Sequence, residues 1–212
     1  YSKACQKLGI VRRNGHIVTD SKGRRALYLS LVRSQFENCS IVWRPTTTSL
    51  SNKLESLQKR AIKWILFEEN HSYTSEQYIK KCKLVDILPL SQKFDLNDLL
   101  FFHKVINDLV PVSLPEHLSF YQGGSRLRHC HLDSHSVVCS LIPRCSQSAM
   151  RSNNPLSKSF FYRTHLLWNS LPLELRQTNC HTSFKTGVTK YLWASILDDK
   201  LDESFCSITS SN

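Results

Sequence analysis

A chain of 212 residues with 41% apolar and 21% charged residues has the composition of an ordinary globular protein, long enough to bury a core, which excludes general disorder. No run approaches the ~18 apolar residues of a membrane span, and no secretory pattern leads the sequence, so membrane-embedded and secreted classes are set aside. The formal net charge of +11 points instead to a polyanionic partner, nucleic acid ahead of an acidic membrane surface.

The charge is unevenly placed: +10 over residues 1–66, −3 over 67–122, +7 over 123–194 and −3 over the tail. Any electrostatic footprint therefore belongs to the first and third segments. The chain opens at Tyr1, and its only methionine is Met150, so it reads as an excerpt of a longer polypeptide. Eight scattered cysteines without a Cys-x-x-Cys pair fit reduced thiols in an intracellular protein, nuclear or cytoplasmic, most of them small buried apolar residues.

In chain order, residues 2–9 predict a short helix closed by Gly9, followed by a turn at Val11–Gly15. A long helix is expected from Arg24 to Trp43, capped by Asp20 or Ser21. Leu29, Val32, Phe36 and Cys39 share its buried face, and Arg44-Pro45 stops it. Ser49 or Ser51 then caps a helix whose Leu50, Leu54, Leu57, Ala61 and Trp64 recur at gaps of 4, 3, 4 and 3. Lys53, Arg60 and Lys63 lie along one shoulder of that stripe, with Lys59 further round, and form the best phosphate-facing surface in the sequence. Arg12, Arg13, Arg24, Arg25 and Arg33 add to the same segment, which holds only three acidic residues.

Helices are expected over 75–83 and 90–108, the latter ended by Pro111 and Pro115. Residues 119–155 read as a long irregular loop. A helix over 156–168, a turn opened by Pro172, a last helix from a Ser183 cap to Leu197 and a frayed tail complete the chain. The fold class is mainly α: a basic helical bundle over 1–68, a helical connection over 69–118, the loop over 119–155, a helical block over 156–197 and an acidic tail over 198–212.

Three constellations invite chemistry. His129, Cys130, His131, His135, Cys139 and Cys145 include zinc-ligand types, but no pair has the short spacing of a zinc knuckle, and incidental thiols in a polar loop are the favoured reading. Asp198-Asp199 resembles the paired carboxylates of a two-metal site. The pair follows a helical stretch without a flanking hairpin, so a solvated acidic tail is preferred. No Gly-x-Ser-x-Gly elbow and no phosphate-cradling glycine loop occurs, and no catalytic residue is assigned. Trp168-Asn169-Ser170-Leu171-Pro172 reads as a corner between helices rather than a base-stacking site. Its indole needs a partner for the N–H, Asn169 or Ser170 offers a cap, and Pro172 suits a first helical turn.

Ala26–Ser34, then Cys39–Pro45 with Val42-Trp43-Arg44-Pro45, then Leu54-Glu55-Ser56-Leu57-Gln58-Lys59-Arg60-Ala61 resemble the region downstream of the polymerase site in reverse transcriptases of jockey-type, LINE-like non-LTR retrotransposons. Lys7–Arg13 is similar to the preceding helix of that family. Phe160–Pro172 with Ser183-Phe184-Lys185 is similar to its closing block, so the likeness runs over roughly residues 3–193. The resemblance implies a thumb and the helical segment beyond it, which grip the RNA template–DNA primer duplex by phosphate contacts from Lys53, Lys59, Arg60 and Lys63. Palm and fingers, the implied partners in the same polypeptide, would lie upstream and hold Mg²⁺; no cofactor is expected in this chain, and no membrane. The sequence departs from the family at Leu90–Lys93, where Lys93 stands alone in place of paired arginines. A free-standing helical nucleic-acid-binding or interaction module, or a decayed element, are the alternatives.

Overall fold

A computed structural model describes residues 1–68, 72–122, 133–140 and 159–209, with side chains as far as residue 197. It is mainly helical, as the sequence predicts. Among the described residues the elements are α1 (Ser2–Asn14), α2 (Ser21–Leu27), a π-helical turn (Tyr28–Arg33), α3 (Ser34–Glu37), α4 (Ser40–Trp43), α5 (Thr48–Ile65), α6 (Ser75–Leu84), α7 (Leu90–Ile106), β1 (Leu118–Phe120), β2 (Val137–Cys139), α8 (Phe160–Ser170), α9 (Leu173–Arg176) and α10 (His181–Thr209). Two units divide the chain, one of residues 1–94 with 196–212 and one of 95–195, and the divisions fall inside α7 and α10. No described helix is long and apolar enough to cross a membrane.

In the first unit α1 does not stop at Gly9. Ala4, Leu8 and Val11 keep one buried stripe going, so the expected turn at Val11–Gly15 is the helix's last turn followed by a short 3₁₀ segment, Gly15–Ile17. The glycine that matters is Gly15, because a Cβ there would lie 2.5 Å from the Trp64 ring. Asp20 caps α2 as expected, its carboxylate accepting the Gly23 amide at 3.0 Å.

The predicted 20-residue helix is not continuous. It widens into the π turn at Tyr28–Arg33 and breaks at Asn38–Cys39, where Cys39 takes a left-handed φ of 54°. One π turn advances the chain by an extra residue and rotates the helical face beyond it. The buried face is consequently Tyr28, Val32, Arg33 and Phe36, while Cys39, expected on it, is exposed. Helix α5 buries Leu54, Leu57, Ala61 and Trp64 as its period requires, but Leu50 stays 49% exposed and Thr47 is its N-terminal neighbour, making no side-chain cap. A Thr74–Gln77 capping box starts α6.

The second unit builds its core from Leu99 and Phe102 of α7, Trp168 of α8, and Phe184 and Val188 of α10. Part of the expected irregular loop is a two-stranded antiparallel sheet, with Leu118 opposite Cys139 and Phe120 opposite Val137. Helix α10 starts at His181, ahead of the expected Ser183 cap, and its backbone remains helical to Thr209. Asp198 and Asp199 thus lie within a helix, not on a hairpin.

Candidate nucleic-acid interface

Helix α5 decides where the first basic segment points. Its apolar stripe turns one arc inward, so Asn52, Lys53, Ser56, Lys59, Arg60 and Lys63 occupy the opposite arc by helical geometry. Lys53 and Arg60 are exposed, and Lys59 and Lys63 are half-buried along their stems. Two aromatic rings steer the latter pair, with the Lys59 ammonium 5.0 Å from the Tyr78 ring centre and the Lys63 ammonium 5.2 Å from that of Tyr73. Arg60 leans to the other edge, its guanidinium 3.5 Å from Cys5 Sγ.

Glu55, the single acidic residue of α5, faces inward. Its carboxylate accepts the Leu90 amide at 3.1 Å and the Tyr78 hydroxyl, satisfying an orphan donor at the start of α7. Burial raises its pKa, against the opposing pull of those two hydrogen bonds. Beside it Gln58 is fully buried: its Oε1 accepts from the Tyr28 hydroxyl at 3.1 Å, and its Nε2 donates to Tyr78 Oη and to the Leu88 carbonyl, both at 3.0 Å. Burial pushes the Tyr28 and Tyr78 hydroxyls above the ordinary phenol range. Of the motif Leu54-Glu55-Ser56-Leu57-Gln58-Lys59-Arg60-Ala61, then, Leu54, Leu57 and Ala61 pack, Glu55 and Gln58 network, and Lys59 and Arg60 face out.

Two of the expected contact residues, Arg24 and Arg25, have partners within the first unit. Arg24 is 9% exposed, donating to the Val18 and Trp64 carbonyls at 2.9 and 2.7 Å and lying 3.7 Å over the Phe67 ring. Arg25 donates to the Val85 and Asp86 carbonyls at 2.7 and 2.8 Å and pairs with the Asp86 carboxylate at 3.0 Å. Both guanidiniums satisfy carbonyls at helix C-termini, Arg24 at the end of α5 and Arg25 just past α6, which is where a helix dipole favours a cation. Arg33 is buried as well, against Glu37 at 2.6 Å. Arg12 and Arg13 are exposed in the last turn of α1. Lys93 sits 3.8 Å from Glu37.

Among the described cations of the third, basic segment, Arg163 and Arg176 turn inward while Lys185 and Lys190 are exposed. Arg163 grips the buried Asp98 through two hydrogen bonds of 2.7 and 3.1 Å, and Arg176 grips Asp133 at 2.7 and 3.0 Å. Burial would raise the Asp133 pKa, but the His135 amide and Arg176 hold it below its ordinary value.

Trp168 is a corner residue: it is 1% exposed, its indole N–H donates to the His135 carbonyl at 2.9 Å, and Phe102 meets its ring edge-on at 5.5 Å. A ring so enclosed stacks no nucleobase. Asn169 does not cap a helix; its amide pairs with Val137 of β2 in both directions, at 2.9 and 2.8 Å, as a neighbouring strand would. Pro172 stands one residue ahead of α9.

Of the proposed zinc ligands, His129, Cys130, His131 and Cys145 lie outside the described residues. Cys139 is buried in β2, and no group of three potential metal ligands occurs among the described residues. Two features escape a reading of the sequence. A pocket of about 310 Å³ opens beside Lys53, walled by Tyr1, Phe36, Trp43, Pro45 and Leu50. Cys180, exposed just before α10, is held down to a pKa of about 6 by hydrogen bonds from Thr182 and Ser183. The signal for the second is Cys180-His181-Thr182-Ser183, a thiol at a helix start.

No family model, curated protein or solved structure matches this chain.

Proposed function

We propose that this chain is the thumb and following segment of an RNA-directed DNA polymerase of the non-LTR retrotransposon type, gripping the template–primer duplex without doing chemistry itself. The observation that carries the reading is the outer arc of α5: Lys53, Lys59, Arg60 and Lys63 together on one rigid face, from which Glu55 has been withdrawn. Ammonium and guanidinium donors on such a face bind phosphate oxygens and release counterions, which positions a duplex without reading its sequence. The likeness of residues 54–61 to the polymerase family supports the same surface.

The test is binding of the purified chain to an RNA–DNA hybrid across about 50–200 mM salt. Lys59→Ala with Arg60→Ala should weaken binding and lower the slope of log affinity against log salt by about 0.9 per lost phosphate contact. An unchanged slope sinks the assignment. In the longer polypeptide with its palm, the same pair should shorten the product made per binding event while leaving the KM for deoxynucleotides unaltered. Loss of binding without that shortening would favour a free-standing nucleic-acid-binding module.

A further inference from the structure

The pocket beside Lys53 is an unusual neighbour for a basic helix. Its walls leave large apolar side chains open to solvent: Leu50 is 49% exposed and Trp43 39%. Trp43 is nevertheless fixed, its indole N–H donating to the Asn38 carbonyl at 2.6 Å and its ring meeting Phe94 edge-on at 5.8 Å. Gln35 lines the same space, and its amide offers a donor and an acceptor. Two cations flank the opening. Lys53 is part of the lining, and Arg60, two turns further along the same arc, interacts with the Tyr1 hydroxyl.

A flat group with apolar faces, a polar edge and anionic charge on both sides matches these features. We propose that the pocket holds one unpaired nucleobase of a single-stranded overhang, with its flanking phosphates on Lys53 and Arg60. The proposal rests on the phosphate-binding reading of α5 and extends it from the duplex to the strand leaving it. An apolar side chain of an acidic peptide could fill the same walls. The cations, however, continue along α5 as a row, and a row suits the repeating charge of a nucleic acid strand better than the few carboxylates of one peptide turn. At about 310 Å³ the space is at the small end of ligand pockets and has room for a base.

Fluorescence anisotropy decides it, comparing a blunt RNA–DNA hybrid, the same hybrid with a short single-stranded overhang, and one whose overhang is abasic. The overhang should tighten binding about tenfold, and the abasic overhang should lose that gain. Trp43→Leu should abolish the gain and leave blunt-duplex affinity unchanged. Leu50→Ser, at an exposed position, should do the same by removing an apolar wall without changing the charge of α5, and guards against misfolding of the tryptophan variant. A gain that survives both substitutions, or that the abasic strand keeps, overturns the proposal. So does an acidic phenylalanine-bearing peptide that binds in a Trp43-dependent way while the overhang gives no gain. If the blunt hybrid itself fails to bind, the α5 reading falls and the pocket proposal with it; blunt binding without an overhang effect removes the pocket alone.

Discussion

Gln58 carries more of the first unit than its polarity suggests. One buried amide joins the Tyr28 hydroxyl, the Tyr78 hydroxyl and the Leu88 carbonyl, so the π turn, α6 and the link into α7 all depend on a single side chain. Gln58→Leu keeps the volume but strands those partners, and should cost about 2–3 kcal/mol in urea unfolding, whereas Tyr28→Phe, which removes one hydroxyl, should cost about 1 kcal/mol. The cysteines divide just as sharply. Cys180 is exposed with its pKa near 6, so at neutral pH it is mostly thiolate; burial pushes the Cys82 thiol up to about 12. Alkylation with iodoacetamide at neutral pH, with peptide mass mapping of the products, should mark Cys180 first and Cys82 only on unfolding. Early labelling of Cys82 would contradict its placement in the core.

At the scale of elements, the sequence makes legible whatever repeats locally. The stripe Leu54, Leu57, Ala61, Trp64 announces α5 and, by the same geometry, sends Lys53, Lys59, Arg60 and Lys63 outward. A π turn carries no such signature, so an unbroken helical period assigns the buried face to Leu29, Val32, Phe36 and Cys39 and misses Tyr28 and Arg33. The strands escape because each is three residues long and its partner lies some twenty residues away. Arg24 and Arg25 read as members of the basic surface because the carbonyls they close are 40 and 60 residues distant. Stability and binding should therefore dissociate in both directions. Arg24→Ala should lower stability by about 2–3 kcal/mol and leave the salt slope of hybrid binding untouched, while Lys59→Ala with Arg60→Ala should do the reverse. Equal effects of both on the slope would return Arg24 to the interface.

For the molecule as a whole, the three histidines whose pKa is lowered, His103, His165 and His181, all lie in the second unit. His103 is fully buried, stacked on Phe184 at 4.2 Å, with one ring nitrogen bonded to the Thr178 carbonyl at 2.7 Å. Burial lowers its pKa, that carbonyl only partly offsetting the effect; burial lowers His165 and His181 too, and Lys104, Lys185 and the neighbouring His103 add to the effect at His181. A histidine whose folded pKa lies below its unfolded value binds its proton more readily when unfolded. Its contribution is complete above pH about 6.5 and shrinks as the pH falls below that value. The melting temperature of this unit should therefore drop between pH of about 7.5 and about 5.5, and His103→Gln should flatten the drop. A melting temperature that holds or rises toward acid would overturn the neutral assignment.

The two adjacent guanidiniums that close α5 and α6 have a further consequence. Their acceptors are chiefly backbone carbonyls, which take up no proton in mild acid, so Arg24 and Arg25 fasten the first unit with a clasp that mild acid leaves closed. Mild acid thus acts on the molecule as a selective reagent, softening one unit through its imidazoles while sparing the other. A thermal scan near pH of about 5.5 should separate into an early and a late transition, and the late one should vanish into the early one when Arg24 is replaced.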